Sequence, residues 1–206
     1  MNIEIKKSIK PVNYLDALKI LEERVDKIIK NEENELIWIL EHPSTFTAGT
    51  RYSKLDILDK SIKIIKTSRG GKITWHGPGQ LVCYLVIDLN KRKKDIRKFI
   101  NIIEDSIIET LKHFGLETYS DRKNIGIWTN YKNEKMKIGA IGIKVKKWIT
   151  YHGFSININN NISNYKKIIP CGLKDKPVTT LKNIYNKNYN KLPEELVKNL
   201  VTNLKT

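Results

Sequence analysis

A cysteine held between a proline and a glycine, Pro170-Cys171-Gly172, and a run holding four glycines, an arginine and a histidine, Arg69-Gly70-Gly71-Lys72-Ile73-Thr74-Trp75-His76-Gly77-Pro78-Gly79-Gln80, have the most capacity for chemistry in this chain. Glycine has no Cβ, so it tolerates positive φ and lets backbone approach a ligand closely. An ordinary strand connection has no need of so many such positions. Cys171 lies outside any periodic apolar pattern, and its thiol is expected to face a cleft or solvent, where the thiolate would be a nucleophile. Cys83 sits inside the apolar run from Leu81 to Leu89 and is expected to behave as a small inert hydrophobe. Two more segments combine small residues with polar groups: Lys137-Ile138-Gly139-Ala140-Ile141-Gly142 and Tyr151-His152-Gly153-Phe154-Ser155.

The elements that must position these residues follow from periodicity. Tyr14, Leu15, Leu18, Leu21, Val25, Ile28 and Ile29 recur at helical spacing, so a helix is expected over 13–30, behind a first strand near Ile3 to Ile5. Strands are expected at 36–40 and 62–66, with Glu41 to Thr45 as a turn and the whole run 69–80 as a glycine-rich loop. The nearly continuous apolar stretch 81–89 reads as a strand covered on both faces. A helix follows over about 94–114, closed by Gly115. Strands recur near 124–129, 137–145 and 149–158, and Pro193-Glu194-Glu195 opens a final helix. The segment 183–191, rich in Asn, Lys and Tyr, is the stretch expected to be flexible. The fold class implied is α+β, one domain over residues 1–206, with a mixed sheet backed by helices.

Composition bounds the function. A chain of 206 residues, 40% hydrophobic, has room for one core. The amino terminus alternates charged and apolar residues without a signal-like apolar region, and no apolar run approaches the roughly 18 residues of a membrane span. The two cysteines form neither a disulfide framework nor a zinc motif, so a cytoplasmic protein without metal or cofactor is expected. A net charge of +16 invites a nucleic-acid reading. Against it, the basic residues are scattered and mostly lysine, the Ile, Asn and Lys content reads as compositional bias, and Lys91 to Lys94 reads as a solvated turn. Neither nucleic acid nor membrane is expected as a partner.

Taken together, Glu41-His42-Pro43 with Thr47 and Gly49, the Arg69 to Gln80 run, Tyr84, Gly126-Ile127-Trp128, Lys137-Ile138 with Ile141-Gly142, His152-Gly153, Asn157 and Pro170-Cys171-Gly172 resemble the lipoyl (octanoyl) transferase family, related in fold to biotin and lipoate protein ligases. One departure is Leu21, where the family commonly has a polar residue. The resemblance implies a catalytic pair of Lys137 and Cys171. It implies an acyl pocket built from Arg69, Gly70, Gly71, Lys72, Ile73, Thr74, Trp75 and His76, from Ala140, Ile141 and Gly142, and from Gly153, Phe154 and Ser155, with Phe154 as a wall for an aliphatic chain. The implied donor is octanoyl-acyl carrier protein. The implied acceptors are lipoyl domains of 2-oxoacid dehydrogenases and the glycine cleavage H protein.

The chemistry is consistent with those residue types. A thiol with an ordinary pKa of about 8.5 is mostly protonated at neutral pH, and a neighbouring ammonium favours the thiolate. Backbone amides of Ala140, Ile141, Gly142 or Gly172 could donate to a tetrahedral oxyanion. His76 and His152 either orient catalytic groups or are structural, while His42 and His113 are expected to be structural. Two other classes stay open at this point: an ATP-dependent ligase of the same fold, and a non-catalytic basic binding protein.

Overall fold

The computed structural model describes residues 2–170 and 177–205; Cys171 and Gly172 lie outside the described residues. A seven-stranded mixed sheet forms the centre. Its strands are β1 (Ile3–Lys7), β2 (Glu35–Leu40), β6 (Gln80–Asp88), β7 (Tyr119–Ser120), β8 (Ile127–Tyr131), β9 (Glu134–Lys146) and β10 (Ile149–Asn157), in the order β1-β2-β6-β10-β9-β8-β7. Among the described residues, the β1–β2 pair of this sheet is parallel and its other strand pairs are antiparallel.

Why β2 and β6 take the middle is plain from their side chains. Alternate residues of a strand point to opposite faces, and both faces here are apolar. Leu36, Trp38, Leu40, Val82, Tyr84 and Val86 pack under α1 (Tyr14–Ile29), against Ala17, Leu21, Val25 and Ile28. Ile37, Ile39, Leu81, Cys83, Leu85 and Ile87 face the other way, onto α2 (Ile96–His113), α3 (Leu181–Ile184) and α4 (Leu192–Asn203). Each fully buried aliphatic side chain of this kind contributes about 1.5–3 kcal/mol. Leu21, the departure from the family pattern, lies on the face of α1 turned to the sheet and is completely buried, which accounts for an apolar residue there.

The helix boundaries obey local chemistry. The Asn13 side chain accepts from Leu15 N–H, and the Asp95 side chain accepts from Lys98 N–H, so the basic run 91–94 precedes the helix instead of entering it. Gly115, with φ +75°, follows the last turn of α2.

The expectation of one sheet and a loop at 69–80 needs correction. A second, three-stranded sheet is present: β3 (Thr45–Ala48), β4 (Ile64–Lys66) and β5 (Ile73–His76), in the order β4-β3-β5. The Ile-Thr-Trp run has strong strand propensity, and pairing with β3 satisfies its backbone, so the glycines flank a strand and do not make one long loop. Thr45 starts β3 instead of ending a turn, the strand expected at 62–66 shrinks to β4, and β7 and α3 carried too little periodic signal to be seen. Segment 183–191 is tied down as well: Tyr189 is buried, and its hydroxyl donates to Tyr185 C=O at 2.7 Å. Among the described residues no helix is long and apolar enough to cross a membrane.

Candidate active site

Between the two sheets lies a half-open pocket of about 510 Å³, the solvent at its mouth included. One wall comes from the small sheet. Alternation on β5 sends Thr74 and His76 to the cavity, while Trp75 turns into a separate core with Phe46, Tyr165 and Ile168 and donates through Nε1 to Ser44 Oγ at 3.0 Å. Trp75 is therefore not a pocket residue. Gly70 does not line the cavity either: its N–H donates to Ile143 C=O at 3.2 Å on the edge of the large sheet. Arg69, Gly71, Lys72 and Ile73 do line it.

The floor is the junction of β9 and β10, where the register pairs Gly142 with Gly153 and Ala140 with Ser155. These four small residues leave the space, and all four line it. A Cβ on Gly142 would stand 3.1 Å from Gly70 O, so the glycine lets the Arg69–Gly71 segment close down on the sheet. Ile141 and Phe154 also border the cavity, but they pair with each other on the opposite face, and the Phe154 ring joins the larger core with Cys83 and Ile156. Phe154 thus lines the cavity while also belonging to the larger core. Val82 and Tyr84 of β6 and Tyr14 of α1 line it too, and none of the three is flagged by local sequence pattern because each reads as ordinary core.

The polar groups around this space are hydrogen-bonded in separate sets. Arg69 is buried; its Nη2 donates to Thr47 C=O and Thr47 Oγ1, both at 2.9 Å, and its Nη1 to Gly70 C=O at 3.0 Å. His76 Nδ1 lies 2.7 Å from Gln80 Oε1. The Gln80 amide nitrogen donates to Asn157 Oδ1 and, at 3.0 Å, to the Tyr165 hydroxyl, so its oxygen must accept and His76 Nδ1 carries the proton. His42 Nδ1 faces Val12 C=O at 2.6 Å, leaving Nε2 to accept from the Tyr84 hydroxyl at 2.7 Å. His42 was expected to stand apart, yet its ring lies 5.7 Å from that of His76 and 5.1 Å from that of Tyr14. It stabilises the cavity wall through Tyr84, a structural role next to the site. His113 sits far off on α2, paired with Glu195.

Burial keeps these imidazoles neutral. It pulls His76 down to about 3, helped by His42 and Arg69, and pulls His152 to about 3, helped by Arg69 and Lys144; His42 is lowered by burial too. An unfolded histidine titrates near 6.5, so below that pH the unfolded chain takes up protons that these rings refuse. Stability is therefore expected to fall as pH drops from about 6.5 towards 3, by about 2 kcal/mol at pH 5 for each of His76 and His152. Urea unfolding at pH 7.5 and pH 5 checks this. His152→Asn should lose less stability between the two than wild type, and an equal loss would refute the assignment.

Lys137 lies on β9 and is 6% exposed. Its Nζ donates to Ile125 C=O at 3.1 Å and rests 5.1 Å from the Trp128 ring centroid. Gly126 makes this possible: with φ +139°, it leaves room where a Cβ would meet Lys137 Cε at 2.6 Å. The Lys137 backbone is clamped from the segment after Cys171, its N–H donating to Pro177 C=O and its C=O accepting from Thr179 N–H, both at 2.9 Å. On the other side of that segment, Ile169 N–H donates to Asp56 C=O at 2.8 Å. Cys83 is fully buried in β6, and burial pushes its thiol far up, as expected for an inert core cysteine. No group of His, Cys, Asp or Glu among the described residues is arranged to hold a metal ion.

Several known proteins resemble this chain. An octanoyltransferase of Wolbachia pipientis subsp. Culex pipiens is 44% identical over 173 residues, covering 84% of each chain. An octanoyltransferase of Novosphingobium aromaticivorans is 41% identical over 180 residues, covering 87% of this chain and 81% of its own. Among solved structures, the bi-partite lipoate protein ligase of Thermoplasma acidophilum superposes with a TM-score of 0.71 at 12% identity, over all of this chain and 84% of that one, a likeness of fold. Residues 13–204 match the lipoyl protein ligase A/B catalytic domain, and the chain belongs to that family.

Proposed function

We propose that this protein is an octanoyltransferase, with residues 1–206 acting as one catalytic unit, that moves an octanoyl group from a carrier-bound thioester to the ε-amine of a lysine on lipoyl domains. The observation that carries this reading is 41–44% identity to octanoyltransferases over more than four fifths of the chain. The small-floored cavity and the buried Lys137, on the same strand β9 that supplies part of its floor, support the same chemistry.

In the first half-reaction the Cys171 thiolate attacks the thioester carbonyl. The bond to the carrier's sulfur breaks, that sulfur leaves as a thiolate and takes a proton, and the octanoyl group remains on Cys171. In the second, the acceptor amine attacks the new thioester, the carbon–sulfur bond to Cys171 breaks, and an amide forms while Lys137 relays the amine's proton. Thioester exchanges for thioester and then for the more stable amide, so no ATP is consumed. Val82, Tyr84 and the β9–β10 floor would hold the chain, with neutral His76 and His152 adding polarity without charge. The protein's net charge of +16 would speed encounter with an acidic carrier at low salt. Carrier and acceptor are read from the family, with the 2-oxoacid dehydrogenase lipoyl domains and the glycine cleavage H protein as the acceptors to try first.

Intact-protein mass after mixing with octanoyl-acyl carrier protein, without ATP, tests the reading. One octanoyl adduct is expected on wild type and none on Cys171→Ala, and addition of a lipoyl domain should discharge the adduct onto its lysine. Acylation of the domain only with octanoate and ATP would make the enzyme a ligase instead, and no acylation under either condition would favour a binding role.

A further inference from the structure

One buried acid has no task in the transfer steps. Glu104 stands on α2 directly after the core residue Ile103, yet it is only 8% exposed. A carboxylate taken out of water is costly unless something holds its charge. Burial pushes this carboxyl above the ordinary range, and Asp105 and Asp121 push the same way. Against them, Gly126 N–H donates to it and does more to hold the charge than Arg97 does. No backbone carbonyl accepts from Gly126 N–H among the described residues, so the carboxylate satisfies a buried donor in return. Glu104 and Ile125 also border one surface groove, where Arg97, Asp105, Asp121 and Arg122 face them.

The Gly126 N–H belongs to the same peptide group as Ile125 C=O, which accepts from Lys137 Nζ at 3.1 Å. That peptide is trans, so its N–H and C=O point opposite ways, with the carboxylate on one side and the lysine amine on the other. Glu104 carboxylate, Gly126 N–H, Ile125 C=O and Lys137 Nζ therefore form one line of acceptors and donors. Hydrogen bonds in such a line polarise one another, and a negative end makes the carbonyl a stronger acceptor. Position matters as much as charge. A Cβ on Gly126 would meet Lys137 Cε at 2.6 Å and Nζ at 3.0 Å, so the lysine stem passes against this residue and a shift of the 125–126 turn would displace the amine. Glu104 ties that turn to an 18-residue helix packed on the core.

We propose that Glu104 is a positioning residue for the transfer: through the Ile125–Gly126 peptide it fixes the Lys137 amine and strengthens the bond that holds it. The proposal rests on the role given to Lys137 in the transferase reading above.

The test is a cycle of variants in the full chain, assayed by transfer from octanoyl-acyl carrier protein to a lipoyl domain. Glu104→Leu fills similar space without an acceptor and should lower kcat by roughly 10–100-fold, the cost of a slightly misplaced catalytic group. The donor's KM should stay within about twofold of wild type. Glu104→Gln keeps an acceptor oxygen and should restore kcat to within about fivefold of wild type. In a Lys137→Met background, Glu104→Leu should cost less than about twofold, because a residue that acts through the lysine has nothing left to act on. Damage to packing would instead lower the rate by the same factor in both backgrounds. A second measurement does not depend on the leucine variant folding. In wild type the Gly126 amide proton resonance should titrate as Glu104 takes up its proton, with a midpoint above the ordinary 4.5, and this titration should vanish in Glu104→Gln. Equal losses in the two backgrounds, or a Gly126 amide that keeps its position across that pH range, overturn the proposal while transfer itself proceeds. If the thioester does not react and octanoate with ATP does, the transferase reading falls and takes this role of Glu104 with it.

Discussion

Replacing Lys137 with methionine is expected to lower kcat/KM for octanoyl transfer by roughly 10²–10⁴-fold, the range that a positioned proton-transfer group contributes, while the protein stays folded. Methionine keeps most of the stem that runs past Gly126 and Trp128, so packing is largely preserved. What is lost is the amine that donates to Ile125 C=O, in a position 6% exposed and shielded from water that could replace it. If Lys137 and Cys171 act as a unit, Lys137→Met combined with Cys171→Ala should be scarcely worse than Cys171→Ala alone. Single-turnover kinetics with octanoyl-acyl carrier protein and a lipoyl domain, beside circular dichroism of each variant, measures both points. A Lys137→Met rate within tenfold of wild type, or fully additive losses, would remove the lysine from the mechanism.

Gly153→Ala is expected to destabilise the protein by about 3 kcal/mol or more, enough to threaten folding of a domain whose whole stability is of order 5–15 kcal/mol. A Cβ there would stand 1.9 Å from Cys83 O, 3.0 Å from Cys83 C and 3.1 Å from Tyr84 Cα. All three are backbone atoms of the neighbouring central strand, so no side-chain rotation gives relief and β6 must separate from β10. Gly115→Ala makes the contrast. Its φ of +75° strains any L residue, but a Cβ meets only Lys187 Nζ at 3.5 Å, the far end of a flexible side chain. That change should cost about 1 kcal/mol. Urea midpoints for the two variants decide the matter, and a Gly153→Ala protein no less stable than Gly115→Ala would contradict the close approach of these strands.

The sequence by itself determined the elements whose pattern is local and repeated. The apolar run of β6, the stripes of α1 and α2 and the proline-opened α4 each repeat at a period that only one kind of element can bury, and each is where the pattern puts it. The family resemblance, carried in part by the glycine-rich segments, also brought forward most of the residues that line the cavity, and context alone marked Cys83 as a buried core thiol. The tertiary structure decided which faces those residues show. Thr74 and Trp75 are adjacent in sequence, yet strand alternation sends one to the cavity and the other to a separate core, and this was invisible while β5 read as a glycine loop. Phe154 and Ser155 part in the same way across β10. Tyr14, Val82 and Tyr84 reach the cavity from α1 and β6 through contacts distant in sequence, which no local period encodes, and His42 joins the buried imidazoles only because Tyr84 stands between it and the cavity.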